Sequence, residues 1–472
     1  MPPRGARAAS APTAMTPPPL HARRMSAPLP LTLPNRYPGQ HLVRARANLL
    51  RSIELLGDSA PDLAAMRTIA GRTVVLAKHP ALAREVLTGH PRSLRKGLGL
   101  QRTRRILGNG LLTSEGEFHL RQRRLAQPAF HRERIARHAD IMVACTQALA
   151  ARWREGERFD MARAMHHLTL DIVGRTLFGV ELQGQAAAMG RALTAVLDSF
   201  SVWLLLIGDR LYDWPLPAMR RARRAIPVLD AAIFDVIAQH RRGAGDEGDL
   251  LSMLMGARDT EGDGSGMTDR QLRDEVMTLI LAGHETTANA LAWAWWFLAQ
   301  HPEADERMAE EARAVAGDRP LTMVDVPSLP YTRAVFSEAM RLRPPAYATS
   351  REVITPIVLG GHEIPVGAQV VVSPWVTHRD PRWWTEPLRF DPDRWLAPRS
   401  EPQLKGAYFP FGAGTRVCIG EQFAWTEGIL LLATLAQRWR FRLTVPAAAV
   451  RAQPAVTLRP SPGVPVVCEP RG

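Results

Sequence analysis

Three cysteines, Cys145, Cys418 and Cys468, stand far apart in a chain of 472 residues, and one of them is set among residues suited to reactive chemistry. Cys418 lies in the run Phe411-Gly412-Ala413-Gly414-Thr415-Arg416-Val417-Cys418-Ile419-Gly420, which leads into an apolar helix predicted over Glu421–Trp439. Gly412 and Gly414 permit a tight loop with its amides turned inward, Gly420 lets a flat ligand approach the backbone, and Arg416 places a fixed cation two residues before the sulfur. A cysteine at a helix N-terminus is favoured as thiolate by the macrodipole and the unpaired amides. Taken alone, such a cysteine is more often a buried structural residue. Three cysteines without a CxxC pair exclude a disulfide scaffold and point to a reducing compartment, expected to be cytoplasmic.

A thiolate held in a loop of glycines suits axial ligation of haem iron, where electron donation from sulfur promotes O–O cleavage. The pattern FxxGxRxCxG resembles the haem-binding signature of the cytochrome P450 family. Three further segments resemble motifs of that family. Ala282-Gly283-His284-Glu285-Thr286-Thr287 resembles its oxygen-activation motif, midway along a helix predicted over Thr268–Gln300 that a capping box of Thr268 and Gln271 opens and His301-Pro302 closes. A helix of that length spans roughly 48 Å, long enough to cross the molecule. Gly283 costs about 1 kcal/mol relative to Ala inside a helix, and room above a haem plane is the compensating reason.

Glu338-Ala339-Met340-Arg341 resembles the ExxR motif, with Glu338 and Arg341 on one helical face before Pro344 and Pro345. Phe390-Asp391-Pro392-Asp393-Arg394-Trp395 resembles the later PERF segment, whose arginine, here Arg394, completes a buried network with that pair; Asp393 and Trp395 depart from the commonest letters. Without the other motifs, Glu338 and Arg341 read as a surface salt bridge and the Thr-rich stretch as a polar patch in a core helix.

The resemblance, over about residues 40–465, implies the rest of the site. Haem b is expected to take Cys418 as its axial thiolate, with Phe411, Gly283 and Gly420 beside the ring. His119, Arg123, Arg351 and Arg416 are expected on the propionates, whose two negative charges need cationic partners in a buried site. His119 stands where the family more often has Trp. Thr286, with Glu285 nearby, is expected to order water for proton delivery to O2. Electrons would arrive singly from separate partners, a ferredoxin and its NAD(P)H-dependent ferredoxin reductase, since no flavin or iron–sulfur extension follows Gly472 and no GxGxxG follows a strand.

The implied activity is hydroxylation of an apolar small molecule, a carotenoid or terpenoid first and a fatty acid next. The segments expected to line the pocket are Ser93–Leu112, Ala195–Tyr212, Leu279–Gly283, Ala346–Thr349 and Ala455–Leu458. They are mainly apolar, though Arg95, Lys96, Arg102, Arg104 and Arg105 offer partners for a carboxylate. A peroxide-driven or isomerising haem-thiolate enzyme is one alternative; it keeps Cys418 and has no need of the Glu285 and Thr286 pair. A non-enzymatic basic binding protein is the alternative from another class, and it leaves every motif a coincidence.

A mainly α scaffold with a minor β-sheet, the single-domain P450 fold, is expected to position these residues over 37–472. Helices are predicted over Arg132–Trp153, Met161–Phe178, Met219–Arg242, Glu303–Val315 and Tyr331–Arg341, besides the two already placed. Thr73–Ala77, Val353–Leu359 and Gln369–Ser373 read as one sheet, and Thr444–Thr457 as a terminal hairpin. Residues 1–36 are rich in Pro, Ala and Arg and read as a disordered tail. No run of about 20 apolar residues occurs, so no transmembrane anchor is expected. The net charge is +14, but only Lys78, Lys96 and Lys405 among 60 basic residues are lysine. That skew is compositional, and without a helix-turn-helix, finger or aromatic-basic repeat no nucleic-acid partner is expected.

Overall fold

Helix, far more than sheet, makes up the computed structural model, which describes residues 27–33, 40–68, 70–179, 192–193, 195–196, 214, 216–242, 249–396 and 404–471. The helices that build the site are α1 (Gly116–Ala126), α2 (Arg132–Ala150), α3 (Met161–Phe178), α4 (Pro217–Arg242), α5 (Asp269–Leu298), α6 (Pro302–Ala316), α7 (Pro330–Leu342) and α8 (Glu421–Ala436). All but α1 were expected from apolar periodicity, and their ends fall within a few residues of the expected ones. The reciprocal cap forms at the start of α5: Gln271 N donates to Thr268 Oγ1 at 3.3 Å and Thr268 N to Gln271 Oε1 at 2.8 Å. Pro302 then opens α6, so the chain turns where α5 cannot continue.

At 30 residues, α5 spans about 45 Å and joins two apolar cores. Its first half, Leu272 to Leu281, packs with Leu229, Ile233 and Ile237 of α4 and Leu125 of α1. Its second half, Ala288 to Leu298, packs with Met142 of α2, Met165 of α3, Phe336 of α7 and Ile429 of α8. The stretch Ala282–Thr287 belongs to neither core. Because α8 is apolar on every side it is buried along most of its length, and Gly428 is small where the Phe336 ring crosses it, since a Cβ there would stand 2.3 Å from Phe336 Cε1.

The main sheet has five strands, β1 (Leu63–Arg67), β2 (Thr73–Ala77), β3 (Leu94–Lys96), β4 (Thr349–Val353) and β5 (Gln369–Val372), in the order β1-β2-β5-β4-β3. Three corrections to the sequence reading follow. The expected strand Val353–Leu359 is broken around Pro356, which has no N–H to give a ladder; Val353 ends β4, while Ile357–Leu359 pairs with His362–Ile364 in a second sheet. The expected hairpin Thr444–Thr457 is shifted: Pro446 and the turn Ala447–Ala449 interrupt it, and the hairpin is β6 (Arg451–Pro454) against β7 (Leu458–Ser461). Trp439–Leu443 pairs instead with Pro465–Pro470. Finally, Ala27–Pro28 pairs with His362 and Glu363, and Thr32 Oγ1 bonds Ser59 Oγ at 2.8 Å, so ordered chain begins inside the span expected as tail. Residues 1–26, and Ala195–Tyr212 apart from Ala195 and Val196, lie outside the described residues.

Candidate active site

Cys418 N donates to Phe411 O at 3.0 Å, which folds the glycine loop back beneath the cysteine. Gly414 has φ +75°, and a Cβ there would meet Leu87 O at 2.4 Å, so only glycine fits. A Cβ at Gly420 would stand 4.0 Å from Cys418 Sγ and 3.8 Å from Phe130 Cε1. Phe411 packs against Trp425 of α8 with ring centroids 5.6 Å apart. Cys418 is the exposed cysteine, whereas Cys145 and Cys468 are buried, Cys468 Sγ lying 2.9 Å from Arg154 O.

The thiol surface is reachable, yet protein crowds out most of its water, and this desolvation pushes Cys418 up to about 11. The Gly420 N–H and Arg123 pull it back only in part, and Glu421 pushes it further. The helix N-terminus favours the thiolate without outweighing this desolvation, and a cation bound at the sulfur would displace the proton.

The ExxR pair holds this loop in place. Arg341 donates Nε and Nη2 to the two Glu338 oxygens at 2.8 and 2.7 Å, with both side chains wholly buried. Arg394 Nε donates to Glu338 Oε1 at 2.9 Å, as expected, and Trp395 Nε1 donates to Oε2 at 2.9 Å, so the departure at Trp395 adds a fourth partner to the network. Arg341 Nη1 bonds His378 O at 2.8 Å, and His378 Nε2 in turn accepts from Phe409 N at 3.1 Å. A continuous chain of buried bonds thus runs from α7 to the residues just before the glycine loop. Buried charges are tolerated when paired, and here both Glu338 oxygens and the Arg341 guanidinium find partners, while Arg394 Nη2 is buried without one among the described residues.

A second cluster is conspicuously cationic. Lys96 and Arg351 sit directly opposite each other on β3 and β4, both buried, with Arg416 close by. Like charges opposite one another destabilise a sheet. The carboxylate among them is Glu115, which takes Arg416 Nη2 at 2.7 Å. Among the described residues Arg351 reaches Thr349 Oγ1 and Ser350 O, at 3.2 and 3.1 Å. Burial holds Arg351 down to about 10 and, beside Lys96, His119 down to about 4. His119 Nε2 and Arg416 Nε are buried without a hydrogen-bond partner among the described residues. Arg123 reaches from α1 to the loop, donating Nη1 to Val417 O at 2.8 Å. Positive excess, orphaned donors and an exposed Cys418 together fit a haem with two carboxylates.

His119, Arg123, Arg351 and Arg416, expected on the propionates, lie in one region, and the sequence reading offered Lys96 to a substrate carboxylate. Lys96 instead turns inward, donating Nζ to Leu111 O and Ser114 O at 2.7 Å each and lying 3.3 Å from His119 Nδ1. Arg95, beside it, pairs with Glu352 at 3.0 Å.

On α5, Ala282, Gly283 and Thr286 keep accessible surface in a helix otherwise mostly buried, and Thr286 Oγ1 donates to Ala282 O at 2.6 Å. A Cβ at Gly283 would meet only Val173 Cγ2, at 3.4 Å, so contacts within the chain do not require glycine there. Glu285, next to Thr286 in sequence, is buried and turned to the hairpin β6–β7.

The family model for cytochrome P450 matches residues 66–464. The chain belongs to the cytochrome P450 family. Among curated relatives of this P450, the cyclooctatin synthase of Streptomyces melanosporofaciens is 39% identical over 465 residues, 97% of this chain and 98% of that one. The cyclooctat-9-en-7-ol 5-monooxygenase of the same organism is 38% identical, covering 84% of this chain and 86% of its own. Among solved structures, the haem domain of cytochrome P450DA superposes with a TM-score of 0.84 at 27% identity, covering 95% of this chain and 99% of that one. The fold, mainly helical with minor sheets, is the P450 haem domain, and the chain is a haem-thiolate monooxygenase that uses O2 and electrons from redox partners. No helix of the described residues is long and apolar enough to cross a membrane.

Two features of this P450 escaped the sequence. Lys96 and Arg351 are 255 positions apart and meet only through strand pairing; the one available signal was a lysine in a chain that otherwise uses arginine. Glu427 of α8 is fully buried and faces Thr287 of α5, and burial pushes it up to about 8 while Thr287 pulls it back only in part.

Proposed function

We propose that this cytochrome P450 hydroxylates a cyclic terpenoid, with Cys418 as the axial ligand of haem b and a ferredoxin and its NAD(P)H-dependent reductase as electron source in the cytoplasm. The observation that carries the substrate class is the relatedness over most of the chain to enzymes named for cyclooctatin and cyclooctat-9-en-7-ol; a pentalenene oxygenase at 37% identity points the same way. Thiolate-bound haem supplies the activation of dioxygen. The chain supplies everything around it. His119, Arg123, Arg351 and Arg416 receive the two carboxylates, with Lys96 adding charge behind His119. Gly420 and Phe411 shape the cysteine side, and Gly283 thins the helix on the other. Thr286 holds a proton-bearing hydroxyl on the accessible face of α5, and Glu285 is its acidic partner.

The test is a reconstitution with ferredoxin, ferredoxin reductase and NADPH, offering cyclooctat-9-en-7-ol, pentalenene, a carotenoid and a long-chain fatty acid in parallel under labelled O2. One labelled oxygen atom in a terpenoid product is the expected result, whereas turnover of the fatty acid alone would remove the terpenoid assignment. Thr286→Ala in the same assay should keep substrate affinity and divert most of the NADPH into peroxide.

A further inference from the structure

The stretch Leu107–Leu112, which ends one of the segments expected to line the pocket, is held to α5 by three consecutive residues of that helix. Arg273 Nη1 donates to Leu107 O at 3.2 Å, Asn109 N donates to Asp274 Oδ2 at 2.7 Å, and Leu111 N donates to Glu275 Oε2 at 2.9 Å. Alternate residues of the loop are thus taken in turn by successive side chains. All three side chains are buried, Glu275 completely. The loop also lies as close to the helix as its backbone allows. Gly108 has φ +79°, and a Cβ there would run into the Asp274 carboxylate. Gly110 has no such backbone to explain it, but a Cβ there would stand 2.4 Å from Asp274 O, a main-chain atom that cannot turn aside.

Each anchor is itself fixed. Arg273 Nε donates to Asp230 Oδ1 of α4 at 2.7 Å and Nη1 to Asp274 Oδ1 at 3.0 Å, while the second Glu275 oxygen accepts from Gln122 Nε2 of α1 at 2.9 Å. The Leu111 carbonyl accepts from Lys96 Nζ, so this one residue is held through its N–H by an acid of α5 and through its C=O by the lysine beside His119. Leu112, next along, packs in one apolar cluster with Leu279 of α5 and with Ile419, the neighbour of Cys418. Burial pushes Glu275 up to about 7, and the groups that donate to it, an amide and Gln122, are both neutral. Packing alone is served at lower cost by an apolar side chain; what the carboxylate adds is an acceptor aimed at one backbone amide. Positions 275, 279, 282 and 286 follow one another at helical spacing, so the residue that holds Leu111 shares a stripe of α5 with Ala282 and Thr286.

We propose that Asp274 and Glu275 are positioning residues that fix the pocket wall Asn109–Leu112 at one level along α5 and thereby select which carbon of the substrate stands nearest Ala282 and Thr286. Neither acid touches the substrate; both act through the loop. This inference rests on the reading of the enzyme as a terpenoid hydroxylase whose pocket is lined by Ser93–Leu112 and Leu279–Gly283.

The experiment compares Asp274→Ala, Glu275→Ala and Glu275→Leu with Asp274→Asn and Glu275→Gln, which keep an acceptor oxygen, all in the haem-loaded enzyme. Hydrogen exchange without substrate reads the attachment directly: the amides of Asn109 and Leu111 should lose protection about tenfold or more in the variants without an acceptor and recover it in the conservative ones. With the terpenoid accepted in the reconstituted assay, the ratio of hydroxylated regioisomers should shift several-fold and the substrate dissociation constant should rise, while haem content and the carbon-monoxide band stay native. If Glu275→Ala fails to load haem, Glu275→Leu, which fills the space without an acceptor, and Asp274→Ala carry the same comparison. Native exchange in these variants would show that the loop is held without the acids, and a native regioisomer ratio despite lost protection would show that the wall does not place the substrate; either result overturns the proposal. Failure of the native enzyme to oxidise any terpenoid would strike the substrate reading instead, and the regioisomer ratio is then read on the fatty-acid product.

Discussion

Residue by residue, the site divides its cysteines cleanly. Cys418→Ala should abolish the red-shifted carbon-monoxide band of the reduced protein, while Cys145→Ala and Cys468→Ala should retain it, because those two are packed in the core. A normal band in Cys418→Ala would end the ligand assignment. Glu427 makes a different prediction. Its folded pKa, about 8, is raised above the ordinary 4.5, so the folded chain keeps a proton that the unfolded chain releases. Its penalty is absent below about pH 4.5 and grows as pH rises towards 8, at about 1.4 kcal/mol per pKa unit. Glu427→Gln should therefore match the native protein in thermal unfolding at pH 4.5 and exceed it at pH 8. Parallel curves for the two proteins across that range would show that the carboxyl is solvated or paired.

Among the elements, the glycine loop and the hairpin show what a sequence can and cannot disclose. Gly412 and Gly414 both have φ near +75°, but a Cβ at Gly412 meets nothing within 4 Å whereas one at Gly414 runs into Leu87. Gly412→Ala should cost about 1–2 kcal/mol for the left-handed backbone alone; Gly414→Ala should cost clearly more and lower haem content, read by thermal unfolding and the haem-to-protein absorbance ratio. Equal losses in the two would mean that the Leu87 contact yields freely. The motif letters were legible because loop geometry and the Glu338 network impose residue types at short spacing. The long helices were legible because burial repeats every three to four residues. What stayed hidden was contact at long range: Arg459 with Glu285, Lys96 with Arg351, Trp395 with Glu338. The two strand corrections have a simpler cause, since Pro356 and Pro446 interrupt apolar runs that composition alone would join.

For the molecule as a whole, the excess of basic over acidic residues, a net charge of +14, predicts how it meets an electron donor. If that donor is an acidic ferredoxin, transfer should slow steeply between low and physiological salt, because exposed charges are screened beyond about 8 Å at 0.15 M. Stopped-flow reduction across an ionic-strength series measures this directly, and a flat profile would place the docking contact on apolar surface instead. Helix α5 sets a further condition on any reworking of the chain. Near its start, Asp274 and Glu275 accept from the backbone amides of Asn109 and Leu111 at 2.7 and 2.9 Å. At its middle it offers Thr286 to one side and Glu285 to another, and near its end Trp293 holds the hairpin. These attachments are kept in phase only by the uninterrupted turn of the helix, and one inserted or deleted residue rotates everything beyond it by about 100°. Chimeras assembled with the Streptomyces enzymes should thus carry Thr268–Ala299 over as one inherited block, with crossover points in the loops on either side; a junction inside it that changes its length would leave the loop at Asn109 and the hairpin at Leu458 asking for two different rotations of the same rod.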